Sequence, residues 1–244
     1  MKLVQERCVG CGQCYPYCPA HAISRDSQTG KSRIDEERCL ECHVCLRSKV
    51  CPVQAFEIEP LEYPRSLRSV FSDVLSPHKS TGVLGRGTEE MKTNDVTGRL
   101  KSGVLGVSVE LGRPGLGTTF ADLQTVAQAV SAIGVVFEES NPVAGLMIDK
   151  SRGLFAPEIL NERVLSALLE FQIPQERLAE LISALHAVEP RIDTVFSVGV
   201  SMRMPQGACG NPLEDYCREH GIYCRPNGKT NVGLGRPLFH EAAS

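Results

Sequence analysis

The sequence predicts an α+β protein in which a small cysteine-rich domain precedes a larger βαββαβ domain. Two observations support this prediction. Eight of the 11 cysteines lie within the first 51 of 244 residues, and residues 103–204 alternate between the apolar periodicities of strands and helices. The composition, 42% hydrophobic and 23% charged, is typical of a globular protein and excludes a disordered or fibrous chain.

The first eight cysteines form two runs with almost the same spacing. Each run has three cysteines separated by two residues, and a fourth that directly precedes a proline. The members are Cys8, Cys11, Cys14 and Cys18 in the first run, and Cys39, Cys42, Cys45 and Cys51 in the second. Three thiolates at this spacing wrap three corners of an iron-sulfur cube, and the fourth cysteine of such a run ligates the other cube.

On these motifs, residues 1–60 resemble a bacterial-type ferredoxin with two [4Fe-4S] clusters of low potential. The resemblance implies crossed ligand sets: Cys8, Cys11, Cys14 and Cys51 for cluster 1, and Cys39, Cys42, Cys45 and Cys18 for cluster 2. A repeat supports two related halves, because Ala22 and Ala55 follow the two Cys-Pro pairs at the same distance. Residues 23–34, with a polar centre, predict a hairpin between the runs.

Zinc is the alternative metal for this region, because paired Cys-x2-Cys motifs also occur in zinc sites. A zinc site closes with four ligands per ion, however, so a third cysteine at the same spacing in both runs favours iron-sulfur. The last gap of the second run is two residues longer than that of the first and contains Arg47 and Lys49. This insertion predicts an altered environment for one cluster.

Residues 61–102 predict an extended linker or arm. A short stretch over residues 66–75 has helical periodicity, whereas residues 82–99 have no apolar face. A connector of this length is typical of a segment that a partner orders. We therefore expect an arm that lies on another subunit.

Residues 103–204 predict six elements in the order strand, helix, strand, strand, helix, strand. A strand over residues 105–111 precedes a helix that Thr119 and Asp122 open as a capping box. Two strands follow over residues 135–139 and 143–149. A helical region begins at Pro157 and is divided at Pro174, and a strand over residues 196–202 closes the set.

This order is that of the ferredoxin-like sandwich. Its first turn, over residues 111–116, is similar to the strand-to-helix turn of ACT domains, a resemblance that implies a dimerising or small-molecule-sensing module. Gly112 and Gly115 fit equally a turn that needs glycine for backbone reasons alone. We interpret the domain as a scaffold for docking or oligomerisation.

Residues 205–244 form a cysteine- and glycine-rich extension with the three remaining cysteines, Cys209, Cys217 and Cys224. Cys217 and His220 lie three residues apart on a short helix expected to begin at Asn211-Pro212, which leaves a third metal site open. Buried free thiols are the alternative. The glycine-rich segment after Cys224 lacks the strand and helix that define a phosphate-binding loop.

The functional hypothesis is electron transfer, since no catalytic motif occurs in a credible context. We expect an iron-sulfur subunit of a multisubunit oxidoreductase from an anaerobe, with partner subunits that carry flavin or the catalytic site. Two alternatives stay open: a redox- or metabolite-sensing regulatory module based on the ACT-like domain, and an enzyme that uses Cys209, Cys217 and Cys224.

Charge and hydropathy restrict the partners and the compartment. The net charge is −3 without a basic cluster, which predicts no binding to nucleic acid. The longest apolar stretch, residues 126–137, is too short to insert into a membrane. Cys8 comes before any apolar segment of a signal peptide, so we expect a cytoplasmic protein with reduced thiols.

Overall fold

Helices and strands are mixed along the chain, which confirms the predicted α+β class. The computed structural model describes residues 1–77, 100–113, 115–203, 207 and 210–225. Over these ranges, none of the helices combines the length and the apolarity that crossing a membrane requires.

The N-terminal domain is built from five short elements. They are β1 (Lys2–Leu3), β2 (Ile23–Arg25), β3 (Ser32–Ile34), α1 (Val44–Arg47) and β4 (Phe56–Glu57). Strands β2 and β3 form the predicted antiparallel hairpin, and β1 pairs with β4, so the two ends of the domain meet. The buried centre consists of Cys14, Ile23 and Phe56. So small a core contributes little stability, which makes the domain depend on other interactions.

The segment that follows packs against its own chain. It contains helix α2 (Ser66–Ser72), whose Leu67 and Phe71 join the core of the second domain. The backbone N–H of Leu165 donates a hydrogen bond to Ser72 Oγ over 2.9 Å. The helical periodicity predicted for residues 66–75 is confirmed by α2, whose apolar face is covered within the chain. An arm on another subunit stays a prediction. The predicted unstructured stretch, residues 82–99, lies outside the described residues.

Arg68 on α2 joins the two domains through a buried guanidinium. Its side chain is 4% exposed and forms a salt bridge with Glu162 of the second domain. Its Nη1 donates to the carbonyl oxygens of three residues of the N-terminal domain. These are Glu36 at 2.9 Å, Glu37 at 3.1 Å and Cys39 at 2.9 Å. One cation thus satisfies acceptors from both domains in a buried position, where unpaired acceptors are costly.

The second domain has the predicted βαββαβ topology. Its elements are β5 (Val104–Leu111), β6 (Thr118–Thr119), α3 (Phe120–Ala132), β7 (Val136–Phe137), β8 (Met147–Asp149), β9 (Leu154–Phe155), β10 (Arg163–Val164), β11 (Ala167–Pro174), α4 (Leu178–Val188) and β12 (Phe196–Met202). The main sheet is antiparallel in the order β12-β5-β11-β7. The two helices contribute their apolar faces to the core below this sheet. Helix α3 begins with the predicted capping box of Thr119 and Asp122.

The third strand of the main sheet along the chain is β11, and not residues 143–149 as predicted. Residues 143–149 contain a 3-10 turn and β8, which pairs with β9 outside the main sheet. Between the 3-10 turn Pro157–Ile159 and Pro174 the expected helix is wrong, because the chain there forms β10 and β11. The helix expected after Pro174 is confirmed as α4. Strand β11 is central, and its sequence alternates between apolar Leu169, Phe171 and Ile173 and the polar residues Glu170 and Gln172. This alternation is typical of a strand.

The C-terminal extension contributes one helix. Helix α5 (Pro212–Glu219) begins at Asn211 as predicted, where the Asn211 side chain accepts a hydrogen bond from the Glu214 N–H. Leu213, Tyr216 and Cys217 of this helix pack against the core of the second domain. The extension is thus anchored to the domain that precedes it.

Replacement of Arg68 tests the connection between the domains. We expect Arg68→Met to lower the free energy of unfolding by about 3–5 kcal/mol, because the Glu162 carboxylate loses its partner in a buried position. Equilibrium denaturation under air-free conditions measures the change. Arg218→Met is the control, since the pair of Arg218 with Asp215 is 73% and 54% exposed. Equal stability of the two variants would contradict the role of Arg68.

Candidate metal centre

The two cysteine loops follow the same backbone path. In the first loop Gly10 and Gly12 have φ values of 69° and 75°, and the residues at the same positions of the second loop, Glu41 and His43, have φ values of 52° and 57°. Residues other than glycine adopt this left-handed backbone at a cost of about 1–2 kcal/mol. The second loop therefore keeps the turn of the first in spite of its side chains.

The two Cys-Pro turns also repeat each other. The backbone N–H of Ala22 donates to Cys18 Sγ over 3.2 Å, and that of Ala55 donates to Cys51 Sγ over 3.3 Å. This confirms the register of the two alanines that the sequence predicts. In both turns the fourth cysteine of the run therefore has its sulfur fixed by the same backbone hydrogen bond.

The cysteines gather into two groups, each with members from both runs. Cys18 of the first run lines one cavity together with Cys39, Cys42 and Cys45 of the second. Apolar side chains, among them Ala22 and Ile34, complete its walls.

The other group gathers around Cys14. Burial raises the pKa of the Cys14 thiol, and the nearby sulfurs of Cys11 and Cys51 add to this effect. Ser32 connects Cys14 with Cys8, because its N–H donates to Cys8 Sγ over 3.4 Å and its Oγ lies 3.7 Å from Cys14 Sγ. Across the described ranges, no three His, Cys, Asp or Glu side chains converge on a point that holds one ion.

Burial controls the protonation of the cavity thiols. It raises the pKa of Cys39 to about 11 and that of Cys45 to about 12, where the neighbouring Cys42 adds to the effect. For Cys8 burial acts in the same direction, but hydrogen bonds from the backbone of Ser32 and Gly10 outweigh it and lower the pKa. A thiol with a pKa near 12 loses its proton at neutral pH only when a cation binds its sulfur.

Two positively charged groups form salt bridges with the second cysteine loop: the amino group of Met1, and Arg65 from the interdomain segment, residues 61–77. The buried Glu41 carboxylate pairs with the Met1 amino group and, over 2.7 Å, with Arg65. Burial alone would raise the pKa of Glu41, but these two partners outweigh it and lower the pKa. Glu41 and His43 are not among the site residues predicted from the sequence. Alignment of the two loops would have singled them out, because they occupy the glycine positions of the first loop.

The second domain and the extension form no comparable site within the described residues. In the ACT-like turn Gly112 has a φ of 93°, and a Cβ there would lie 2.8 Å from the Leu165 carbonyl oxygen; the turn needs glycine for backbone reasons. Cys217 is buried, and His220 stacks on Tyr216 with ring centroids 3.9 Å apart. Cys209 lies outside the described residues. The third metal site stays a prediction.

Comparison with known proteins identifies the N-terminal region. Residues 7–55 match the family of 4Fe-4S dicluster domains. The chain is 42% identical over 53 residues to pyruvate synthase subunit PorD of Methanocaldococcus jannaschii, which covers 22% of this chain and 58% of that protein. It is 41% identical over 51 residues to a ferredoxin of Pyrobaculum islandicum, covering 21% of this chain and 45% of that protein.

A second PorD subunit of pyruvate synthase, from Thermotoga maritima, is 36% identical over 58 residues, which cover 24% of this chain and 56% of that protein. The chain spans about half the length of these relatives. No solved structure matches the chain.

These matches confirm the ferredoxin resemblance of the N-terminal region and its two [4Fe-4S] clusters, and they decide against the zinc alternative. The cavity of four thiols fits such a group. The chemistry of this region is one-electron transfer.

Replacement of Gly10 tests the path of the first loop. In Gly10→Ala the new Cβ would lie 2.4 Å from the Gly30 carbonyl oxygen, so the loop shifts and we expect iron per chain to fall by up to one cluster. Colorimetric iron and sulfide determination measures the loss. Gly103→Ala is the control, because Gly103 has a similar φ of 76° but no atom within 4 Å of its Cβ position. Full iron content in both variants would contradict the assigned path.

Proposed function

We propose that this protein is the electron-transfer subunit of a multisubunit, cytoplasmic oxidoreductase and relays single low-potential electrons to or from a partner subunit. The observation that carries the proposal is the gathering of Cys18 from the first run with three cysteines of the second around one cavity. Two relatives are named as subunits of pyruvate synthase, which supports a role inside an assembly. The partner carries the catalytic site or a flavin.

The proposed ligand sets are crossed. Cluster 1 binds Cys8, Cys11, Cys14 and Cys51, and cluster 2 binds Cys39, Cys42, Cys45 and Cys18. The proximity of Cys14 to Cys51 and of Cys45 to Cys18 supports both sets. When bound, the clusters supply reversible one-electron chemistry. The chain holds their sulfurs, and the N–H groups of Ala22, Ser32 and Ala55 stabilise the thiolates by donating to them.

The two cluster loops have different surroundings, which supports a direction of access. In the first loop Cys11 is exposed and Val9 is 64% exposed. The second loop is covered, because Leu40 lies against Gly117 and Arg68 binds the Cys39 carbonyl. We infer that the partner approaches cluster 1, while residues 103–204 cover cluster 2 and act as the scaffold of the subunit.

Air-free purification tests the proposed function. We expect about eight iron atoms per chain, a charge-transfer absorption that dithionite bleaches, and EPR signals from two reduced clusters. A protein that contains zinc alone, or iron that cannot be reduced, would overturn the proposal. Purification from the native host identifies the partner subunits and their cofactors.

Pairs of substitutions test the crossed ligand sets. With crossed sets, Cys18→Ser plus Cys42→Ser affects one cluster, so about four of the eight iron atoms remain. Cys11→Ser plus Cys18→Ser then affects both clusters, and little iron remains.

With uncrossed sets the result is reversed: Cys11→Ser plus Cys18→Ser keeps about four iron atoms, and Cys18→Ser plus Cys42→Ser keeps little iron. Cys11→Ser plus Cys42→Ser affects both clusters under either arrangement and is therefore the matched control. Iron per soluble chain is the measurement.

A further inference from the structure

His43 occupies a strained position in the second cysteine loop. Its φ is 57°, whereas Gly12 occupies the same position in the first loop. Glycine would relieve the strain, so the imidazole has to provide an interaction that offsets it. Strained residues of this kind are concentrated at functional sites.

One ring nitrogen of His43 is held by the interdomain segment. Nδ1 lies 2.7 Å from Asp73 Oδ2, just beyond the end of α2. Asp73 also pairs with Arg47, whose Nη2 donates to the Cys42 carbonyl over 2.7 Å. The backbone N–H of Leu75 donates to Asp73 Oδ1 over 3.0 Å. These contacts fix the orientation of the ring.

The other ring nitrogen is buried without a partner. His43 is 7% exposed, and within the described part of the chain Nε2 has no hydrogen-bond partner. A buried polar atom without a hydrogen-bond partner destabilises the folded state. His43 also lines the cavity of Cys18, Cys39, Cys42 and Cys45. The unused nitrogen thus belongs to a side chain in the wall of the cluster 2 cavity.

We propose that Nε2–H of His43 donates a hydrogen bond to a sulfur of cluster 2, and that Asp73 and Arg47 are positioning residues which orient the ring. The inference rests on the proposed function and deepens it. Both ring nitrogens then carry a proton: Nδ1–H donates to the Asp73 carboxylate and Nε2–H to the sulfur, so an imidazolium lies between two anionic partners. Reduction adds negative charge to the cluster, and an N–H···S bond stabilises this state more than the oxidised one.

As a consequence, the two clusters differ in reduction potential. The donor raises the reduction potential of cluster 2, while Gly12 offers no side chain at the same position of the first loop. The longer last gap of the second run contributes through Arg47, which holds Asp73. Because cluster 2 then has the higher reduction potential, a transferred electron resides mainly on cluster 2, the cluster that residues 103–204 cover.

Redox titration monitored by EPR tests the proposal. We expect His43→Gly, which gives the second loop the residue of the first, to shift one midpoint potential to a more negative value and leave the other unchanged. Asp73→Asn shifts the same potential in the same direction by a smaller amount. His21→Gly is the matched control, because His21 has a φ of 49° in the same domain but is exposed. Unchanged potentials in His43→Gly would overturn the proposal.

A measurement on the unaltered chain keeps the test decisive if His43→Gly loses cluster 2. Protein with ¹⁵N-labelled histidine should show a histidine nitrogen coupling to one reduced cluster in pulsed EPR, which a purely structural His43 would not produce. The complete absence of such a coupling would refute the hydrogen bond. Failure of the proposed function is distinguishable, since the unaltered protein would then have no reducible clusters at all.

Discussion

The buried guanidinium of Arg68 is the contact on which the arrangement of the two domains depends. It connects three carbonyl groups beside the second cysteine loop with Glu162 of the second domain. A buried cation is stable only when its donors are satisfied, so the two domains cannot separate without exposing or orphaning this group. The same contact keeps the interdomain segment over the second loop, where Arg65 and Asp73 reach Glu41 and His43.

The N-terminal domain contains an internal repeat, but its two cysteine loops differ at two equivalent positions. Ala22 and Ala55 donate to equivalent sulfurs, and left-handed residues recur at equivalent positions of both loops. Symmetry alone would make the two clusters alike. Glu41 and His43 break the symmetry on the side that faces the interdomain segment. The chain therefore places Glu41 and His43 in the covered loop, whereas the first loop has glycine at both positions and an exposed Cys11.

Most of the local structure could be predicted from the sequence, because its causes are local. The capping box at Thr119, the N-cap at Asn211 and the hairpin over β2 and β3 each depend on a few consecutive residues. The third strand of the main sheet could not be predicted. The spacing of Leu160, Val164, Leu168 and Phe171 fits one face of a helix, and this helical pattern overlaps the strand alternation of Leu169, Phe171 and Ile173 in the same residues. Only the pairing of β11 between β5 and β7 decides between the two.

The sequence by itself determined the class of cofactor, because three thiols separated by two residues in one loop are a local feature that matches an iron-sulfur cube. The tertiary structure alone decided which distant groups surround that loop. Arg65 and Glu41 are 24 residues apart in sequence, and Arg68 and Glu162 are 94 residues apart. Such contacts form only when the chain folds, so the surroundings of the second cysteine loop have no local signal in the sequence.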